Sequence, residues 1–242
     1  PQQNTPELQG TYEDHQLVPH PQVVRIAETA RAQAIELKQR KLGVQLAEPF
    51  ELKPDIDSAL PNLFTRALLD SFDADVAVHN VFGGLRKGLP AGDLEYGAVY
   101  EMFPFDNIVS IHEISGEELR EIIARKAGAH RKPGFAGMRV FVTCSDAGMH
   151  VEMRLNDGRV IMDEDRVRLV ANDFLALGGD DILTPVIPAG GFELRYDMPL
   201  TRDVLVDWLS GRDGILYAAD FVSHSAPMWN GTDPLPPNCQ IQ

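Results

Sequence analysis

The stretch AVHNVFGGLRKGLPAG, residues 77–92, leaves an apolar segment, passes through paired glycines and sets an arginine just beyond them. Three readings compete. A phosphate loop of the G-x-x-x-x-G-K-[ST] kind has its glycine spacing at Gly83 and Gly88, but Leu89 and Pro90 follow, so the lysine and hydroxyl that hold phosphate and magnesium are missing. A dinucleotide G-x-G-x-x-G fingerprint is absent as well. What remains is a strand ending at Asn80, a glycine pair able to take positive φ, and Arg86, whose planar fork suits a phosphate or carboxylate. Alone, this is equally a sharp turn with a solvated arginine.

Two further stretches repeat the layout. VANDFLALGGDD (170–181) again runs from an apolar strand through an aromatic to a glycine turn, and MFPFDN (102–107) places Phe105 after a proline and before another strand. Phenylalanines at strand ends beside glycine turns can form a slot for a flat ring, where stacking one base is worth roughly 1–3 kcal/mol. They can also be ordinary core residues.

Around these stretches the pattern is of helices mixed with strands. Residues 1–20 read as an extended polar arm. From Pro21, Val23, Ala27, Ala30, Ala34 and Leu37 recur at helical spacing, so 21–43 is expected as a linker helix preceding a domain over 44–242. Helices are expected over 58–72, 96–103 and from Thr201, which can act as a cap, to Gly211. Strands are expected over 75–78, 107–114, 138–143, 150–155 and 166–171. Ser115 and Glu118 form an S-x-x-E capping box ahead of Leu119, Ile122 and Ile123. The proline-rich tail 226–242 reads as irregular. The whole predicts an α/β (α+β) fold with a mixed β-sheet and flanking helices.

Composition narrows the function. The formal net charge is −14, which excludes nucleic-acid backbone binding as the main role. It leaves room for a small anion at a local cluster of cations. No run of 18 or more apolar residues offers a membrane span. The opening PQQNTPELQGTYEDHQ carries no signal segment and reads as a cut within a longer protein. Cys144 and Cys239 allow either one disulfide or two free thiols. The seven histidines show no metal-ligand spacing, and His79, beside Asn80, reads as a strand-end residue. No nucleophile elbow or Ser/His/Asp grouping is present, so no catalytic residue is assigned.

Taken in order, the segments DVAVHNVFGGLRKGLPAGDLEYGAVYEMFPFDN, ISGEELREII and DRVRLVANDFLALGGDD resemble the C-terminal domain of the 5′-nucleotidase family, metal-dependent periplasmic or extracellular hydrolases that include UDP-sugar hydrolases. The resemblance covers roughly residues 40–212 and extends weakly through the 20–42 helix. It implies that Asn80, Gly83, Gly84 and Arg86 contribute to a substrate site, with Arg86 near phosphate. It further implies that Phe105 and Phe174 sandwich a nucleobase, and that Gly179 and Asp180 contact ribose or the polar network. Two residues, Val81 and Phe82, stand between Asn80 and the glycines, and Asp173 and Asp181 stand where the family commonly has Asn and Gly. The family's metal motifs, Asp-x-His, Gly-Asn-His-Asp/Glu and Gly-His-x-His, do not occur here. The resemblance therefore implies no cofactor in this chain and two divalent metals on a separate N-terminal metallophosphoesterase domain. The expected function is nucleotide or nucleoside binding for a phosphohydrolase of nucleotide catabolism. The alternative is a non-catalytic interaction domain that has kept the fold and lost nucleotide binding.

Overall fold

Residues 76–79, VAVH, are buried without alternation, which marks a strand covered on both faces. The computed structural model describes residues 11–12, 15–16, 18–53, 57–127, 132–223, 228–231, 236 and 239, and it builds outward from this strand. In chain order the strands are β1 (Thr11–Tyr12), β2 (His15–Gln16), β3 (Lys41–Leu46), β4 (Val76–His79), β5 (Gly92–Glu95), β6 (Val109–Ser115), β7 (Gly134–Ala136), β8 (Met138–Ser145), β9 (Gly148–Leu155), β10 (Arg166–Asn172), β11 (Gly214–Leu216) and β12 (Trp229–Gly231). The helices are α1 (Pro21–Lys38), α2 (Ala59–Ser71), α3 (Tyr96–Met102), α4 (Gly116–Ala127), α5 (Asp173–Ala176) and α6 (Thr201–Ser210).

The central sheet has the order β6-β10-β4-β7. Its middle pair, β10 and β4, is parallel, with Leu169 opposite Val76 and Val170 opposite Ala77. Both outer pairings are antiparallel. Side chains alternate between two cores. Ala77, Val109 and Val170 join the core shared with α2, α3, α6 and β3. Val76, Val78, Leu169 and Ala171 face the second core, under α4, β8 and β9. A slip of one residue would exchange these two sets, so burial on both faces fixes the register. Two smaller mixed sheets, β11-β3-β5 and β12-β8-β9, close the two cores. The mixed α/β architecture expected from the sequence is therefore present.

The structure corrects four local readings. The helix beginning at Pro21 ends at Lys38, not at 43, because Leu42, Val44 and Leu46 point inward with period two and make β3. Leu200, not Thr201, occupies the position before α6. The N–H of Thr201 donates to the Asn107 carbonyl at 2.8 Å, so a tertiary partner takes the place of a side-chain cap. Within the tail, Trp229–Gly231 pairs in parallel with β8 as β12. Of the expected arm, the described residues show β1 paired with β2 and an exposed, irregular stretch at 18–20; the rest lies outside them. The Ser115/Glu118 box forms reciprocally, at 2.7 and 3.1 Å. Among the described residues, no helix is long and apolar enough to cross a membrane.

The open cysteine question resolves as a disulfide, Cys144–Cys239, across a sequence separation of 95. It ties the chain's end to β8, and Cys239 is buried in the second core. A cross-link closing so long a loop stabilises mainly by restricting the unfolded chain. Replacing both cysteines with serine is expected to lower the unfolding free energy by about 2–4 kcal/mol. Urea denaturation with and without reductant checks this, and an unchanged midpoint would refute it.

Two imidazoles are buried in the central sheet. His79 stacks on Phe64 with centroids 4.1 Å apart, and His112 stacks on Phe192 at 4.0 Å. Burial lowers the pKa of His79 to about 3 and that of His112 to about 4. Both rings are neutral when folded, whereas the unfolded chain protonates them near pH 6.5. Their stability contribution is complete above pH 6.5 and is lost as pH falls through 6.5 toward 4. Between pH 7 and pH 5 the loss is on the order of 2 kcal/mol for His79 and less for His112. Urea curves across this range should show the slope, and His79→Leu should reduce it, with His112 supplying what remains.

Candidate functional site

Because β4 and β10 run in parallel, their carboxyl ends emerge side by side, where open α/β sheets bind ligands. The loop after β4 (80–86) meets the loop after β10 (173–181). Antiparallel β6 begins at the same end, so its preceding loop (103–107) joins them. The three loops enclose a cleft of about 480 Å³. Asn80, Gly83, Gly84, Arg86, Phe105, Phe174 and Asp180 all line it, with Phe103, Asp106 and Asn107. Among the eight site residues expected from sequence, Gly179 alone is not in the lining; it lies directly against the Phe174 ring.

Glycine is required here by space as much as by angle. A β-carbon at Gly84 would lie 2.3 Å from the Asn80 carbonyl and 2.8 Å from His79 Nε2. One at Gly179 would lie 2.3 Å from the Phe174 ring. Gly83 has φ +99° and approaches the Asp180 carboxylate, which a β-carbon would meet at 3.1 Å. The glycine pair thus lets the turn fold down onto β4, and Gly179 lets the loop after β10 pass beneath Phe174.

Both aromatic rings line the cleft, and Phe105 also packs against the first core. Phe174 is 41 % exposed. Phe105 is half-buried, edge-on to Phe103 with centroids 5.5 Å apart. The Arg86 guanidinium lies over the Phe105 ring at 5.1 Å from its centroid. Its backbone N–H donates to the Met102 carbonyl at 2.8 Å, joining the first loop to the end of α3.

Three carboxylates stand close by, and each is engaged. Asp180 accepts from the Asn80 carboxamide at 2.6 Å. Asp173 accepts from Asn107 at 2.9 Å and from the Phe174 N–H at 2.8 Å. Asp106 accepts from Arg202 at 2.8 Å. Among the described residues, Arg86 has no carboxylate within ion-pair distance. The site therefore offers one exposed cation without a carboxylate partner beside two aromatic faces. Asn80 is 4 % exposed and turned toward Asp180, so it braces one loop against another. Lys126 adds to the brace by donating to the Asp180 carbonyl at 3.1 Å.

Sequence reading missed Arg202. This buried side chain of α6 donates to the Phe105 carbonyl at 3.0 Å as well as to Asp106, holding the loop that presents Phe105. Nothing in its local pattern separates it from any helix-surface arginine; its burial among the loop carbonyls is a tertiary fact. Among the described residues, no three His, Cys, Asp or Glu side chains are grouped to hold a metal ion.

Known proteins resemble this chain in sequence and in fold. Endonuclease YhcR of Bacillus subtilis is 31 % identical over 123 residues, 50 % of this chain and 10 % of that protein. The 5′-nucleotidase of Vibrio parahaemolyticus is 32 % identical over 158 residues, 60 % of this chain and 27 % of its own length. The match thus spans roughly a tenth to a quarter of these relatives. Among solved structures, a 5′-nucleotidase precursor from Thermus thermophilus superposes with a TM-score of 0.68 at 22 % identity, covering 90 % of this chain and 45 % of that one, which bears on the fold. The profile described as "5′-nucleotidase, C-terminal domain" matches residues 44–186. With more than half its length matched, and with three loops meeting where two parallel strands end, this chain belongs to the 5′-nucleotidase C-terminal domain family.

Proposed function

We propose that the cleft is the nucleotide or nucleoside site of a 5′-nucleotidase-like phosphohydrolase, and that this chain is its substrate-binding half. The observation that carries the reading is the convergence of Phe105, Phe174 and Arg86 on one cleft from three separate loops. Its volume of about 480 Å³ lies within the range of roughly 300–1,000 Å³ typical of small-molecule sites. The base lies against the phenylalanine rings, and the anionic end reaches Arg86. In an exposed setting the Arg86–Phe105 contact is worth only about 0.5–1 kcal/mol, so the guanidinium can leave the ring for a phosphate. Asn80 and Asp180 hold the two loops in register, and Asp180 is placed to accept from a ribose hydroxyl. The open position of both rings favours binding over the alternative of a fold retained without a ligand.

The role is positional. Cleavage belongs in this reading to a separate N-terminal metallophosphoesterase domain carrying two divalent metals, and no step of hydrolysis is assigned to residues of this chain. The Cys144–Cys239 disulfide supports a periplasmic or extracellular setting, since such cross-links persist in oxidising compartments.

Isothermal titration of this chain with adenosine and with AMP tests the reading. Phe105→Ala and Phe174→Ala are each expected to weaken both ligands by about 1–3 kcal/mol. Arg86→Gln should weaken AMP by about 1.5–3 kcal/mol and leave adenosine nearly unchanged. Equal binding by wild type and the double phenylalanine variant would remove the base-sandwich assignment. Equal loss of both ligands in Arg86→Gln would remove the phosphate assignment.

A further inference from the structure

A second cleft, larger than the first, lies along the outer edge of β6, with a volume of about 670 Å³. It shares no lining residue with the site above. We propose that it docks a short extended peptide, which pairs with β6 as an added strand.

The backbone settles which groups face outward. In β10, the Arg168 N–H donates to the Asp75 carboxylate at 2.8 Å, and its carbonyl accepts from the Asp75 N–H at 2.9 Å. Both groups of Arg168 therefore point away from β6. Its ladder partner is Glu113, so this is a pair without mutual hydrogen bonds, and the N–H and C=O of Glu113 point to the free edge. By the same alternation those of Ile111 and Val109 do too. Val109 confirms it by donating outward to the Pro199 carbonyl at 2.9 Å.

The chain's own cover stops there. Leu200 bridges Ile108 in antiparallel fashion. Continued upstream, that pairing would set residues 198 and 196 against 110 and 112. Instead a turn closed by Met198 N–H to the Arg195 carbonyl, at 3.2 Å, lifts the segment off the edge. Among the described residues, no backbone group bonds the outward side of Ile111 or Glu113. These two residues, with alternating N–H and C=O groups between the edge and a displaced segment, match the spacing of an extended polypeptide.

The lining gives the side-chain preference. Ser110 is 4 % exposed and His112 is 7 % exposed, and among the described residues Ser110 Oγ and His112 Nε2 have no hydrogen-bond partner. A peptide residue opposite His112 shares its face and places a polar side chain near both atoms. The residues on either side oppose Ile111 and Glu113 and turn to the face of Phe72 and Met198, which favours apolar side chains. Asp73, Glu113 and Glu193 outnumber Arg168 and Arg195 in the lining, on a chain of net charge −14, so basic ends are favoured.

The probe is fluorescent acetyl-Lys-Val-Asn-Val-Lys-amide, titrated against this chain by polarisation. Saturable binding is expected, with slowed amide exchange at Ile111 and Glu113. The same peptide N-methylated at both valines loses the paired donors and should bind about tenfold more weakly or worse. Glu113→Pro removes one edge donor and no ladder bond, a position where proline is tolerated. With an unchanged melting temperature, it should weaken the unmodified peptide severalfold. AMP should not compete. Equal binding of the two peptides, unaltered exchange at Ile111 and Glu113, or no saturable binding would overturn the proposal. So would a concentration-dependent dimer that Glu113→Pro abolishes, which would assign the edge to a second copy of the chain.

Discussion

The parallel pairing of β4 with β10 is the constraint on which the molecule depends. Only parallel neighbours release their loops at the same end of a sheet, and only a pair buried on both faces holds its register without help from the loops. Val76 and Val78 belong to one core and Ala77 to the other, so the strand cannot shift by one without burying the wrong set in each. The cleft is the consequence. Asn80 and Asp173 leave the sheet at the same level, and antiparallel β6 brings Phe105 in beside them.

What the sheet places, the turns refine. Two loops rich in acids surround a site read as taking an anion, which Coulomb repulsion alone would forbid. The structure relieves the conflict at Asp106, whose charge Arg202 balances. Asn80 and Asn107 orient the other two carboxylates, and among the described residues the Arg86 guanidinium faces the cleft without a carboxylate partner. The same bonds are structural ties: Asn80 joins the first loop to the third, Asn107 the second to the third, and Arg202 the second to α6. Electrostatic relief and loop geometry thus come from one set of contacts.

Much of this was legible in the residues. Paired glycines followed by Arg86, and phenylalanines at the ends of apolar runs, mark the three loops, because turn chemistry and strand ends are local properties. The capping box at Ser115 was legible for the same reason. Features decided at long range were not. The short strand Lys41–Leu46 was absorbed into the helix before it, since three inward residues carry little signal until β5 and β11 flank them. The Cys144–Cys239 bond could not be chosen over free thiols until Trp229–Gly231 was seen to run beside β8. The direction of Asn80 was open from sequence because the two residues before Gly83, Val81 and Phe82, can turn it either way. Burial and the short bond to Asp180 turn it inward.

Asp180 and Asp181 show how far the third loop is over-determined. Both have φ near +53°, a left-handed conformation that costs an L-residue roughly 1–2 kcal/mol and that Asp tolerates better than most. Glycine at the second position would remove that cost. At Asp180 glycine would also remove the carboxylate that Asn80 grips, so there the strain is retained for a tie that a smaller residue cannot make. Among the described residues none bonds the exposed Asp181 side chain, and the Asp181 N–H closes the turn onto the Gly178 carbonyl at 3.2 Å. The backbone at 181 therefore suits glycine, while the acid contributes charge rather than structure. The two adjacent aspartates share one conformation, but only the first is built into the cleft.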